Sequence, residues 1–310
     1  MKKHLTKFIA LLLIIFYGAL LTGCRRSGNN KIKFVTSCYP VNIIALNLTE
    51  NIEGVEVINM SENQSGCLHN FQIQSEDLKN IEKSTAFIIN GAGMENFLNK
   101  VVYEIPKVKI IDSSIGINLI EEETECTHNH GDGENHHHHH HESNPHIWLS
   151  VENYIKQVQN VTNGLIIVDP THEKTYKENC EKYISKLNEL KNQLSVDLNE
   201  LKGKDIITFH KAFSYFAKDF GLNIAGTIND EPENEPSAKQ ISDVINTIKE
   251  KNIKSIFTEP QYSSSSADII AKETGVKIYT LDPAVTGENS KDSYINIMKE
   301  NAKTLKSALN

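Results

Sequence analysis

The chain has 310 residues and a formal net charge of −8 at pH 7. This length predicts either two domains or one large one. The negative charge argues against a nucleic-acid partner, which would favour a basic surface, and it favours the approach of cations.

The N-terminus is predicted to be a secretory signal. Three lysines precede an apolar run, Phe8–Leu20, which is too short to cross a bilayer with ease. The Leu-Thr-Gly-Cys sequence that follows resembles the end of a bacterial lipoprotein signal, in which Cys24 is lipidated; an ordinary signal peptide with a chance cysteine is the alternative. We therefore expect a signal at residues 1–23, a polar tether at 24–30 and a mature chain held by lipid on the extracytoplasmic face of the cell membrane.

From Lys31 to Val168, strand-like segments alternate with segments of helical spacing. The predicted strands are Ile32–Thr36, Val55–Asn59, Ala86–Asn90 and Val108–Ile111. Helices are predicted at Val41–Leu48, around Leu78–Ile81 with Ser75 as the cap, and at Glu152–Val168. The segment Ile147–Leu149 is predicted to be a short extended piece.

A histidine-rich segment, residues 121–142, interrupts this alternation. It contains His128, His130, His136, His137, His138, His139, His140 and His141. The segment has no apolar period that could build a core, whereas neutral imidazole is a good ligand for zinc, copper and nickel. An expression tag is the alternative interpretation, but tags lie at termini and this run is internal. We therefore predict an auxiliary metal-binding loop outside the core.

A long amphipathic helix is predicted next. Apolar residues recur every three or four positions from Tyr176 to Leu201. This pattern predicts one spine helix over residues 169–203, which would join an N-terminal lobe at 31–168 to a C-terminal lobe at 204–310.

The C-terminal lobe repeats the alternation. Its predicted strands are Asp205–Thr208, Asn223–Thr227, Ser255–Thr258 and Lys277–Thr280, and its predicted helices are Ala212–Phe220, Ser237–Lys251, Ser265–Thr274 and Tyr294–Ala308. Repeated strand–helix–strand order is typical of parallel sheets covered by helices. The predicted fold class is therefore α/β, with two Rossmann-like lobes joined by the spine helix.

Four possible metal ligands follow strands or lie in short motifs between elements. They are His69, His146, His210 and Asp282. In open α/β sheets, ligands bind beyond the carboxyl ends of the strands. Taken singly, each histidine is more often structural, but three imidazoles and a carboxylate can form a tetrahedral zinc site.

The order of these motifs resembles the zinc/manganese solute-binding proteins of bacterial ABC importers, cluster A-I. The motifs are the signal, the segment around His69, the histidine-rich loop, Pro145-His146-Ile147-Trp148-Leu149, the spine helix, the Phe-His-x-Ala-Phe-x-Tyr-Phe run at Phe209, and Leu281-Asp282-Pro283. The resemblance covers essentially residues 24–310. It implies a metal site between the lobes, with His69 and His146 from the first lobe and His210 and Asp282 from the second.

The resemblance also implies the function. We expect a high-affinity receptor, monomeric and not an enzyme, that captures extracellular Zn²⁺ and delivers it to a membrane permease with its ATPase. Manganese-carrying members tend to have Glu where this chain has His210, and manganese prefers oxygen donors, so Mn²⁺ is the less favoured cargo. The fourth ligand stays open between Asp282, water and a histidine of the loop.

Three positions near the motifs depart from the family or have two interpretations. The family commonly has Asp where this chain has Asn144, which could alter how His146 is oriented. Cys67 could compete as a soft ligand, although a buried, inert thiol is favoured. Glu259 is interpreted as a helix cap in preference to a partner of a metal ligand. The spacing of Cys38, Cys67, Cys126 and Cys180 assigns no disulfide.

Two functions of other classes remain as alternatives. A surface protein for metal storage or cell adhesion would also suit the histidine-rich loop. A zinc hydrolase would use three histidines with an open fourth position. However, the sequence has no His-Glu-x-x-His motif and no obvious general base beside the three histidine motifs.

Overall fold

The computed structural model describes residues 31–62, 66, 71–96, 108–125, 139–229 and 235–310, with the backbone only for 122–125 and 139–142. The predicted signal and tether lie outside the described residues, and so do His69, Cys67, Cys126 and the loop histidines up to His138. Across the described ranges, no helix is both long and apolar enough to span a membrane.

The N-terminal lobe is built on a parallel sheet. Its elements in chain order are β1 (Ile32–Thr36), α1 (Tyr39–Leu48), β2 (Val55–Asn59), α2 (Ser75–Glu82), β3 (Ala86–Ile89) and β4 (Ile110–Asp112). The strand order is β2-β1-β3-β4, and every pairing in this sheet is parallel. The central strand β3 is buried throughout, because helices cover both faces of a parallel sheet.

Helix α2 begins one residue earlier than a Ser75 cap would require. Ser75 is already helical and Gln74 is the cap residue. The backbone N–H of Gln74 donates to the carboxylate of Asp77 at 2.8 Å. The prediction of Ser75 as the cap is therefore wrong by one position. The carboxylate of Asp77, in the first turn, accepts from the backbone of Gln74 and makes Gln74 the cap residue.

The histidine-rich segment is flanked by a two-stranded antiparallel ladder. Strand β5 (Glu121–Glu125) pairs with β6 (His139–Ser143), and the register places Glu123 opposite His141. The sequence showed no apolar period here, but an antiparallel ladder is held by backbone hydrogen bonds and does not need one. The ladder leads directly into the residues before His146.

The segment Ile147–Leu149 forms a 3₁₀ turn, so the prediction of an extended piece is wrong. All three side chains are fully buried. A 3₁₀ turn spreads three consecutive side chains around its axis. Trp148 and Leu149 enter the main core, while Ile147 packs with Ile117 and Tyr215. Helix α3 (Val151–Val168) follows, and its cap residue Ser150 accepts a hydrogen bond from the N–H of Asn153.

The spine helix is shorter than the predicted 169–203. Its α-helical part, α4, is Glu173–Asp197, with 3₁₀ turns at Pro170–His172 and Asn199–Leu201. The predicted apolar stripe is confirmed as buried, and its members in α4 are Tyr176, Cys180, Tyr183, Leu187, Leu190 and Leu194. The chain leaves the spine through Gly203, whose φ of +79° is a left-handed conformation that favours glycine.

The C-terminal lobe repeats the topology of the first. Its elements are β7 (Asp205–Thr208), α5 (Ser214–Phe220), β8 (Asn223–Thr227), α6 (Ala238–Lys251), β9 (Ser255–Thr258), α7 (Ser265–Thr274), β10 (Lys277–Thr280) and α8 (Ser293–Leu309). The strand order is β8-β7-β9-β10, again parallel. The predicted α/β class with two parallel-sheet lobes and a long helix is confirmed.

Buried aromatic side chains join the lobes beside the spine. Tyr154 of α3 stacks on Tyr294 of α8 with ring centroids 3.7 Å apart. The hydroxyl of Tyr294 donates to the carbonyl of Trp148 at 2.7 Å, and the indole N–H of Trp148 donates to the carbonyl of Pro283 at 2.8 Å. Since every polar tip has a partner, this contact is both apolar and hydrogen-bonded.

Candidate metal centre

His146 is held by the residue two positions before it. The side-chain oxygen of Asn144 accepts the backbone N–H of His146 at 2.9 Å and lies 2.9 Å from the ring atom Nδ1. An amide oxygen can only accept, so Nδ1 carries a proton and Nε2 can offer its lone pair. The other end of the Asn144 amide donates to the carbonyl of Lys211 at 2.8 Å, in the second lobe. This half-buried contact fixes the ring between the lobes.

His210 is held by a buried carboxylate. It lies two residues after the end of strand β7 and is 3% exposed. Its Nδ1 lies 2.6 Å from Oε1 of Glu259, which follows the neighbouring strand β9. The carboxylate therefore holds the proton at Nδ1 and directs Nε2 away from the strand ends. The second oxygen of Glu259 is buried and has no hydrogen-bond partner within the described residues.

The two imidazoles face each other across the lobes. Their Nε2 atoms are 3.3 Å apart, and the ring centroids are 5.1 Å apart. A tetrahedral metal at 2.0–2.1 Å from each of two nitrogens would separate those nitrogens by about 3.3–3.4 Å. The spacing of the pair therefore fits one edge of a tetrahedral zinc site.

Asp282 lies beyond the end of β10, as the sequence predicted for a candidate ligand. Its Oδ1 accepts the N–H of Ala284 at 2.8 Å. Burial raises the pKa of Asp282 above its usual range, hydrogen bonds from Ala284 and Gln261 lower it, and the charge of Glu259 raises it further. A carboxylate that burial destabilises in its charged form favours a cation beside it.

The structure brings His146 and His210 together but does not group Asp282 with them. In the part of the chain that it describes, no set of three or more His, Cys, Asp and Glu side chains could hold a metal. His69, the remaining predicted ligand, lies outside the described residues. Cys38 and Cys180 are buried and do not form a disulfide with each other.

A described residue near His69 in sequence reaches the surroundings of His210. A Cβ added to Gly66 would lie 3.2 Å from the hydroxyl oxygen of Tyr262. The Tyr262 ring stacks on Phe209 and lies 6.0 Å from the His210 ring. The chain therefore passes beside the second lobe three residues before His69.

Sequence reasoning named the two residues that orient the histidines but did not assign their roles correctly. The prediction of Glu259 as a helix cap is wrong, because the next helix begins only at Ser265 and the carboxylate accepts from His210. Its position directly after a buried strand, the signal that selected His210, could have found it. Asn144 was recognised only as the loss of an acid, but its amide oxygen still provides the acceptor that orients His146.

Known proteins resemble this chain over most of its length. It is 30% identical over 320 residues to the zinc-binding protein AdcA of Streptococcus pyogenes serotype M3, covering 99% of this chain but 61% of that protein. It is 32% identical over 293 residues to the high-affinity zinc uptake system protein ZnuA of Bacillus subtilis, covering 93% of this chain and 90% of that protein. The chain thus spans about three fifths of the length of the streptococcal relative.

The fold also matches solved structures. The solute-binding protein FpvC of Pseudomonas aeruginosa, solved in complex with Mn²⁺, superposes with a TM-score of 0.77 at 25% identity, covering 90% of this chain and 99% of that one. A family model described as the periplasmic component A of the zinc-uptake complex, ZnuA, matches residues 34–308. With that match and these relatives, the chain belongs to the ZnuA family of zinc-uptake components.

Proposed function

We propose that this chain is the zinc-binding receptor of an ABC importer, which captures extracellular Zn²⁺ and delivers it to a membrane permease for uptake. The observation that carries the proposal is the pair of buried imidazoles from two lobes, with Nε2 atoms 3.3 Å apart and both Nδ1 atoms held by acceptors. Zinc is the cargo, and no bond of a substrate is made or broken.

His69 and Asp282 complete the proposed ligand set. Gly66 packs against Tyr262 beside His210, which supports an approach of His69 to the pair. Burial raises the pKa of Asp282, and this supports a cation beside its carboxylate. Three neutral imidazoles and one carboxylate would bind zinc with release of the protons that the free ligands carry.

The nitrogen-rich ligand set favours zinc over manganese. Mn²⁺ prefers oxygen donors, and the position that carries Glu in manganese-binding members of the family is His210 here. The streptococcal and Bacillus relatives are both named for zinc. The Pseudomonas protein of the same fold was solved with Mn²⁺, so the fold by itself does not select the metal.

The partners follow from the family. A component of an uptake complex needs a permease and its ATPase, and the Bacillus relative is named as part of an uptake system. A Streptococcus pneumoniae relative is named a zinc-binding lipoprotein, which supports lipid on Cys24 and a place on the extracytoplasmic face. We propose that the receptor works there as a monomer.

The histidine-rich loop would gather or sense metal next to the main site. The β5–β6 ladder leads from the loop into Asn144, so the loop is connected in sequence to one half of the site. Removal of residues 121–142 would leave Asn144, His146, His210 and Glu259 in place. Loop sites and the interlobe site should therefore be separable.

The lobes should move little on metal binding. The Tyr154–Tyr294 stack and the Trp148–Pro283 hydrogen bond fix the lobes against each other beside the spine helix. Solution scattering of the metal-free and zinc-loaded protein should give nearly equal radii of gyration. A large difference between the two radii would contradict this rigid arrangement.

Calorimetric titration of the purified protein with zinc and with manganese tests the proposal. We expect one tight zinc site above weaker loop sites, and loss of the tight site alone in His210→Ala. Equally tight manganese binding would overturn the choice of zinc and keep the receptor. If His210→Ala changed nothing, the interlobe site would be wrong and a metal-storage or adhesion role of the loop would replace it.

A variant lacking residues 121–142 separates the loop from the site. We expect it to keep the tight zinc site and to lose the weak ones. Loss of all tight binding in this variant would show that the loop supplies an essential ligand.

A further inference from the structure

Besides Glu259, a second buried glutamate, Glu95, lies beyond the carboxyl ends of the central strands of the first sheet. Glu95 is 6% exposed and accepts three hydrogen bonds. Its Oε1 receives the hydroxyl of Ser37 at 2.6 Å and the backbone N–H of Asn90 at 2.8 Å, and its Oε2 receives the N–H of Gly91 at 3.0 Å. A hydroxyl and two backbone N–H groups that converge on one carboxylate form an anion cradle filled by the chain itself.

The cradle lies where the strand order of the sheet reverses. From β1 the chain continues to β2 on one side and later to β3 on the other. Ser37 follows β1, whereas Asn90 and Gly91 follow β3. Open α/β sheets bind ligands in the crevice at this point. In the second lobe the equivalent crevice, between β7 and β9, holds Glu259 and His210.

The carboxylate of Glu95 is costly to bury. Burial raises its pKa to about 7, and the hydrogen bonds from Ser37, Asn90 and Gly91 act in the opposite direction. A glutamine has nearly the same shape but would point an NH₂ group at one of these donors. A charged acceptor is thus the group that this cradle suits best.

A chain of contacts runs from Glu95 to the metal centre. Glu95 fixes the backbone of Asn90, whose side-chain NH₂ donates to the carbonyl of Pro145 at 3.0 Å, directly before His146. Gln157 of α3 donates to the side-chain oxygen of Asn90 at 3.0 Å and to the hydroxyl of Ser113 at 2.8 Å, so the Asn90 amide has one orientation. Apart from the half-buried Pro145, these residues are buried.

We propose that Glu95 fills the ligand crevice of the first lobe from within and, through Asn90, positions the Pro145–His146 segment for metal binding. Glu95 is a positioning residue and touches no metal. The inference rests on the proposed function, because its consequence is measured as zinc affinity.

The test is zinc titration of the purified protein carrying Glu95→Ala, with and without added formate. Loss of a group that orients a metal ligand typically lowers affinity by about 10–100-fold, and we expect a loss in this range. Formate can occupy the emptied cradle and should restore much of the affinity, while leaving the wild type unchanged. Glu95→Gln, which keeps the volume, should also bind more weakly and should not respond to formate.

Asp169→Asn is the matched control. Asp169 is 6% exposed and accepts from His172 and Tyr176 at the start of the spine, away from this chain of contacts. The Asp169→Asn variant should have a lower melting temperature than the wild type and the same zinc affinity. An equal affinity loss in this control, or unchanged affinity in both Glu95 variants, would overturn the inference.

If Glu95→Ala does not fold, Glu95→Gln and its double-mutant cycle with Asn90→Ala test the inference in its place. Additive effects of the two substitutions on zinc affinity would contradict the series of contacts. Failure of the wild type itself to bind zinc would instead refute the proposed function.

Discussion

The two lobes share one strand order but use their crevices differently. In the C-terminal lobe the adjacent strands β7 and β9 deliver His210 and Glu259, so the crevice itself provides a metal ligand with its partner. In the N-terminal lobe the equivalent strand ends deliver Ser37 and Asn90, which both donate to Glu95 in the turn after β3, and His146 comes from the connection after the β5–β6 ladder. A repeated topology thus supplies a ligand in one lobe and a support for a ligand in the other.

The partners of the two histidines differ in charge. Glu259 is a carboxylate and should raise the basicity of His210, whereas the neutral amide of Asn144 mainly orients His146. We therefore expect the C-terminal half of the site to contribute more to affinity than the N-terminal half. The following predictions test this difference, beginning with the largest effect.

Removal of either histidine should have the largest effect. We expect His210→Ala to weaken zinc binding by more than ~100-fold, beyond the range typical of losing an outer partner. His146→Ala should weaken it less, because the stronger ligand remains. Calorimetry of both variants checks the order, with His172→Ala as a histidine control at the start of the spine helix. A larger loss in His146→Ala would reverse the comparison.

Substitution of the two residues that orient the histidines, Glu259 and Asn144, should have an intermediate effect on zinc affinity. Glu259→Gln is expected to weaken zinc binding by about 10–100-fold, because the charge behind His210 is lost. Asn144→Asp supplies that charge behind His146 and should tighten binding. The same change should cost about 0.5–1.5 kcal/mol of folding stability, since the carbonyl of Lys211 loses the amide donor and keeps only the hydroxyl of Ser214. Zinc titration and urea unfolding measure the two effects separately. Weaker binding in Asn144→Asp would show that the amide does more than orient the ring.

Loss of the hydrogen bond between Trp148 and Pro283, which joins the lobes, should have a smaller effect, and on folding stability. Trp148→Phe removes the hydrogen bond to the carbonyl of Pro283 and should lower the free energy of unfolding by about 1–3 kcal/mol. Urea unfolding of the metal-free protein measures this loss. Zinc affinity should change little, because neither imidazole loses a partner. A large affinity loss would mean that this bond also sets the spacing of the lobes.

The smallest effect is expected at the surface, where Glu50 links the lobes by contacts with Lys182 and Lys291. These contacts lower the pKa of Glu50 from 4.5 to about 2. Since the folded-state pKa lies below the ordinary value, the stabilisation is present above about pH 4.5 and is lost as the pH falls toward 2. Glu50→Gln should therefore show a smaller fall in stability over this interval. Salt should reduce the difference, because the pair is partly exposed.

The strands were predictable because short runs of apolar and β-branched residues recur between segments of helical spacing. Ile32–Thr36, Val55–Asn59 and the four strands of the second lobe agree with the structure, and the buried stripe of the spine follows its three-or-four spacing. The helix ends were less predictable. Ser75 and the ends of the spine depend on local backbone hydrogen bonds that residue type does not determine.

The site was predictable in its ligands more than in its partners. His146 and His210 could be selected because histidines beyond strand ends are uncommon and chemically specific. Glu259 and Glu95 are acids, and an acid near a helix or a turn has many ordinary roles. Their roles here depend on which strand ends are neighbours, and sequence gives that only after the sheet order is known. The positions of His69 and the central loop histidines remain predictions.

Trp148 gives the molecule an optical reporter of its own. It is the only tryptophan in the chain, is fully buried, and its ring lies 5.2 Å from the ring of His146. Indole emission therefore arises from one position, beside an imidazole whose electronic state changes when a proton or a metal arrives. Occupancy of the centre can be followed in the unlabelled protein by the intensity of that emission, and the histidine-rich loop contributes no indole of its own to obscure it.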